Sequence, residues 1–149
     1  MFVGSTLLFL AEPMLAKMVL PFLGGTPSVW NTSMVFYQAV LLAGYLYAWA
    51  GTKWLGHRTQ VSIHLGLILA CLALLPPHIS ANWTPPTHSS PIWALLAELA
   101  RAIGIPFFVL AGSTPILQRW FALSSHRSAR DPYFLYAASN AGSLLGLLA

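Results

Sequence analysis

Apolar residues gather in five long runs, at 2–23, about 29–49, about 61–75, about 92–117 and 133–149, with short polar or turn-rich connections between them. A helix of about 20 apolar residues crosses the hydrocarbon of a bilayer, and most of these runs come close to that length. The pattern predicts an all-α fold: a polytopic transmembrane helical bundle of about five spans, forming one domain over 1–149. The third run is short. The fourth is long, and its charged start, with Glu98 and Arg101, admits a second reading in which that start lies along the interface and the span is 102–117.

The connections carry turn chemistry. Gly24-Gly25-Thr26-Pro27-Ser28 closes the first pair of runs and 51–59 the second, both short enough to make neighbouring helices antiparallel. The longest connection, 76–91, is proline-rich and reads as an irregular loop outside the membrane, with Trp83 at the headgroups. The fifth run stops at Ala149 with no polar flank or cap, so the chain reads as a fragment of a longer protein. Its first run lacks the charged start and cleavage site of a signal peptide and is read as a retained span.

Composition agrees with the pattern. Charged residues make up 7% of the chain, against roughly a quarter in soluble globules, so the surface belongs in lipid. The net charge of +4 rests on seven Lys and Arg, too few and too dispersed for a nucleic-acid stripe. It reads instead as topology. Lys53 and Arg58 lie between the second and third runs, and Arg119, Arg127 and Arg130 between the fourth and fifth, while the alternate connections 24–28 and 76–91 hold no Lys or Arg. Loops with positive charge face the cytoplasm, which places the N-terminus inside as well, in what is read as a bacterial inner membrane. Trp30, Trp49, Trp54, Trp93 and Trp120 fall near the ends of the runs, as an aromatic belt requires.

Candidate chemistry centres on the first run. Glu12 and Lys17 sit near its middle, in a chain with only three acidic residues, and ionisable groups at that depth cost several kcal/mol, about 2.5 to 3.5 on insertion scales. Pro13 follows the acid and Pro21 repeats the effect; each removes a backbone donor, so a helix break is expected at both. Broken membrane helices build substrate and ion sites in many transporters. Lys17 is about 7.5 Å along the axis from Glu12 and roughly 140° around it, so a direct ion pair is not required by the spacing. Gln38, Tyr45 and Asn140 are expected to complete a polar interior line with them, the alternative being hydrogen bonds that only hold helices together.

Other groups point to simpler roles. Glu98 and Arg101, three apart, read as an anchoring pair near the outer interface. Asp131 before Pro132 suits an N-terminal cap of the fifth helix. Of the five histidines only His64 lies well inside a run, and with no partner at matching depth neither haem nor metal is expected; no cofactor is. The lone Cys71 gives no disulfide. Gly142 and Gly146, four apart with Ser139 and Ser143 nearby, mark a close helix contact.

Two blocks carry a family likeness. One runs Glu12-Pro-Met-Leu-Ala-Lys17-Met-Val-Leu-Pro21-Phe-Leu-Gly-Gly25-Thr-Pro-Ser-Val-Trp30-Asn-Thr and continues through Met34-Val-Phe-Tyr-Gln38 and Leu41-Leu-Ala-Gly-Tyr45-Leu-Tyr-Ala. The other comprises Gly104-Ile-Pro-Phe-Phe108, Thr114-Pro-Ile-Leu-Gln-Arg-Trp-Phe121 and Arg130-Asp-Pro-Tyr-Phe-Leu-Tyr-Ala-Ala-Ser-Asn-Ala-Gly-Ser-Leu-Leu145. They resemble the membrane domain of the spermidine synthase-like proteins, described as fused major-facilitator and spermidine synthase proteins. The resemblance implies a transporter-like bundle accompanied by an aminopropyltransferase-like soluble domain, or by further membrane helices, as partner. Nothing in this chain matches that soluble domain, and no nucleophile with a base, metal cluster or nucleotide loop emerges, so no enzymatic activity is expected of it. The expected function is transport or handling of polyamines or other small cations, with Glu12 as the binding group. The alternative is a non-catalytic anchor or accessory subunit of a larger membrane complex.

Overall fold

The computed structural model of the chain describes residues 1–79, 83–84, 90–131 and 133–149. Among them every regular element is helical: α1 (Phe2–Leu23), α2 (Pro27–Trp54), α3 (His57–Leu72), α4 (Pro91–Leu99), α5 (Ile105–Ala122) and α6 (Tyr133–Leu148). A π-helical turn, Ala100–Gly104, joins α4 to α5, so Pro91–Ala122 is one continuous rod. That rod, α1 and α2 are long and apolar enough to cross a membrane. The remaining two, α3 and α6, have 16 residues each and rise only about 24 Å, short of a hydrocarbon core of about 30 Å.

Local chemistry sets the helix ends. Gly24 closes α1 with φ +71, a conformation open to glycine, and its N–H returns to Leu20 O at 2.8 Å. Thr26 then caps α2 by accepting from the Val29 N–H, with Pro27 in the first helical position, where its missing N–H costs nothing. The expected breaks at Pro13 and Pro21 are not interruptions: α1 runs unbroken through both. Each proline removes one rung of the ladder, and the turns on either side keep the helix continuous.

Helix α1 buries one stripe, Ser5, Leu8, Ala11, Leu15 and Val19, with the spacing of a single helical face. The stripe meets Phe36 and Tyr37 of α2, Leu95 and Leu99 of α4, and Ile103, Phe107 and Ala111 beyond them to form the core. Two glycine contacts bring helices close. A Cβ at Gly44 would stand 2.7 Å from Ala111 Cβ and 2.9 Å from Phe108 O, so α2 and α5 touch backbone to backbone. A Cβ at Gly142 would collide with Phe2 O and one at Gly146 would come within 2.5 Å of Thr6 O, which seats α6 directly on α1. Ser5 and Ser139 share a hydrogen bond of 2.6 Å across that seam.

Hydroxyls elsewhere turn back on their own helices. Thr6, Thr32, Ser33, Thr52, Ser113 and Ser143 each donate to the carbonyl four residues before them. Self-satisfaction of this kind is what helices do where water is absent. Outside the core, large apolar side chains such as Val3, Leu42, Leu69 and Leu147 point outward. Of the expected loop 76–91, residues 80–82 and 85–89 lie outside the described residues, as does Pro132, which would begin the α6 cap at Asp131. Trp83 packs edge-on against Phe22 at the end of α1, ring centroids 5.6 Å apart.

Candidate functional site

Glu12 lies half-buried on α1, one position past Ala11 of the core stripe, and makes no hydrogen bond or ion pair among the described residues. Across from α1, Tyr37 is 2% exposed and its hydroxyl is buried without a hydrogen-bond partner. Glu12 and Tyr37 thus each carry a polar group that no protein partner satisfies among the described residues.

The expected polar interior line does not assemble around them. Lys17 is exposed and lines a separate cavity of about 570 Å³ with Pro13, Trp30 and Ser33. Gln38, Tyr45 and Asn140 are exposed as well. Helical phase is the reason. The buried stripe of α2 includes Tyr37, Gly44, Ala48 and Gly51, and both Gln38 and Tyr45 stand one residue past it, about 100° around the helix. Asn140 is likewise one residue past Ser139, which belongs to the α6 face seated on α1 with Gly142 and Gly146.

Between α2, α3 and α5 the structure builds a second polar cluster. His64, 1% exposed, has Ser113 Oγ 3.0 Å from Nε2 and Tyr47 Oη 3.4 Å from Nδ1. Ser113 donates its own proton to Val109 O, so it accepts from His64 Nε2–H, and Tyr47 in turn donates to Nδ1. Gln60, four residues before His64 on the same face and 3% exposed, lies over Gly51. Its amide donates to Ala48 O and Thr52 Oγ1, and its carbonyl accepts from the Trp120 indole, each at 3.4 Å. Trp120 thus packs inward, edge-on to His64 and His57.

Helix α3 carries the signal that could have found this cluster: Gln60, His64 and Cys71 recur on one face, and only a buried face explains polar residues at that spacing. Among the described residues no three His, Cys, Asp or Glu side chains come together as metal ligands.

Glu98 and Arg101 form a third group. The two side chains are paired, yet Glu98 is 3% exposed and Arg101 70%. The carboxylate is therefore inside the bundle, on a helix that continues to Ala122. No family model matches the chain, and neither a curated protein nor a solved structure is found similar to it.

Proposed function

We propose that this chain is a five-span membrane domain, resident in a bacterial inner membrane with its N-terminus in the cytoplasm, that binds and passes a small cation. In this reading α3 and α6 span as well as the three long rods, their shortness met by local thinning of the bilayer. The resemblance to the spermidine synthase-like membrane domains supplies the class of cation, an amine of the polyamine kind.

One observation carries the proposal: the Glu12 carboxylate lies half-buried in the middle of an apolar helix with no hydrogen-bond or ion-pair partner among the described residues. Buried polar groups without partners are costly, and a carboxylate among apolar helices is costlier still. An ammonium answers that cost by donating to the carboxylate. Glu12→Gln keeps the shape and removes the charge. Spermidine uptake into proteoliposomes should fall about tenfold or more, with helicity unchanged by circular dichroism. Undiminished uptake by the folded variant overturns the proposal.

A second reading has its own observation. Lys17, Gln38 and Asn140 are exposed on helices whose surroundings are apolar, and polar side chains in lipid seek protein partners. A domain that anchors or assembles a larger complex would bury them against further helices, and changes there would then alter assembly and not flux.

A further inference from the structure

A cavity of about 590 Å³, within the size range of small-molecule sites, lies between the end of α3 and the π-helical turn of the α4–α5 rod. Leu74, Leu75 and Ile105 give it apolar walls, and His78, Glu98 and Arg101 supply its charge and hydrogen bonding. We propose that this cavity binds a small zwitterion, a molecule carrying a primary ammonium and an oxyanion a few bonds apart. The site is separate from Glu12, and the proposal does not depend on what Glu12 does.

The argument begins with the buried acid. Glu98 accepts from Arg101 Nη2 through Oε2 alone, while its Oε1 makes no hydrogen bond among the described residues and is not sealed in the interior, since Glu98 lines the cavity. Arg101, largely exposed, has one nitrogen engaged; a guanidinium carries five N–H groups, and its free edge matches a carboxylate or phosphate. A pair made only for anchoring would leave both partners in solvent, where such pairs are cheap, and would not bury the carboxylate.

Charge then selects the ligand. The pair is neutral, so a simple anion or cation would bring an uncompensated charge beside a buried carboxylate. A zwitterion laid alongside brings none: its oxyanion meets the free edge of Arg101 and its ammonium meets Glu98 Oε1. His78 adds a second acceptor. Its Nδ1–H donates to Pro76 O at 3.3 Å, which leaves the Nε2 lone pair for another ammonium hydrogen. The π-helical turn contributes Ala100, Arg101 and Ala102 to the wall, and inserted turns of this kind recur at functional sites.

The same chemistry comes from two sources, a phosphatidylethanolamine headgroup or a free solute, and two arms separate them. In one, the full chain in phosphatidylglycerol nanodiscs is titrated with radiolabelled glycerophosphoethanolamine, whose single phosphodiester charge balances its ammonium. In the other, the nanodiscs also contain phosphatidylethanolamine, and the lipid retained after detergent extraction is counted by native mass spectrometry. We expect saturable one-to-one binding in at least one arm, lost about tenfold or more in Arg101→Gln and in Glu98→Gln. Glycerophosphocholine or its lipid, which has no N–H to donate, should bind weaker by a similar factor. Binding in the lipid arm alone assigns the headgroup, and in the soluble arm alone the free solute. Should Glu98→Gln fail to fold, Arg101→Gln decides, because that side chain is exposed. Absence of saturable binding in both arms, or equal binding by wild type and Arg101→Gln, overturns the proposal.

Discussion

At the scale of single residues, His64 shows how a bundle can hold a polar group where water is absent. Each ring nitrogen faces a hydroxyl, Tyr47 on α2 and Ser113 on α5, so one side chain of α3 ties three helices together. Interhelical hydrogen bonds in membranes average about 0.6 kcal/mol, and removing the ring also leaves a void beside Trp120. His64→Ala should therefore destabilise the folded chain by about 1 to 3 kcal/mol, read from reversible unfolding in mixed detergent micelles. A loss under about 0.5 kcal/mol would mean the network is incidental. The depth of such residues is legible in a sequence and their rotation is not. Glu12, Gln38 and Asn140 each stand one residue past a packed position of their helix, and that offset leaves Gln38 and Asn140 exposed and Glu12 half-buried. Rotation becomes legible only where a stripe declares itself, as Gln60 and His64 do at a spacing of four.

At the scale of elements, the seam between α1 and α6 brings together the two ends of the chain, and small residues make it. Gly142 and Gly146 let the α6 backbone rest on the carbonyls of Phe2 and Thr6, which brings Ser5 and Ser139 within 2.6 Å oxygen to oxygen. Cysteines at these two positions would carry their sulfurs where the two hydroxyl oxygens now meet. Ser5→Cys with Ser139→Cys, in a Cys71→Ser background, should therefore cross-link readily under mild oxidant, seen as a mobility shift reversed by reductant. Adding Gly142→Leu should abolish the cross-link, since its side chain meets backbone that cannot move aside. A cross-link that persists once Gly142→Leu is added would refute the packing. The glycine pair was visible in the sequence as small residues four apart, although their partner helix was not. The π-helical turn left no comparable trace, because one extra residue in a helix shifts hydrogen bonds without changing the apolar pattern around it. The connection between Phe22 and Trp83 was equally illegible, as it joins a helix end to a loop distant in sequence.

At the scale of the whole molecule, the open question is which way the bundle faces, and the charges make an answer testable. Lys53 and Arg58 flank the α2–α3 connection and Arg119, Arg127 and Arg130 the α5–α6 connection, whereas the α1–α2 connection has no Lys or Arg. Two cations stand against this bias. Arg101 belongs to the opposite end of the α4–α5 rod, yet Glu98 offsets its charge, and Lys17 lies within α1 and not in a connection. Lys53, by contrast, is held at its end of α2, its ammonium 4.8 Å from the centre of the Trp49 ring, an arrangement suited to an interfacial anchor. The bias therefore predicts Thr26 outside and Ser124 inside. With Cys71 replaced by serine, a cysteine at Thr26 should react with a membrane-impermeant maleimide in intact spheroplasts, and one at Ser124 should react only after permeabilisation. The reverse pattern would invert the bundle, moving the Glu98 cavity to the cytoplasmic side and restricting its ligand to solutes and headgroups found there. Reaction of both sites in intact spheroplasts would place both connections on one face, which α2, α3 and the α4–α5 rod cannot do if all three cross the bilayer, and the five-span reading would fall with it.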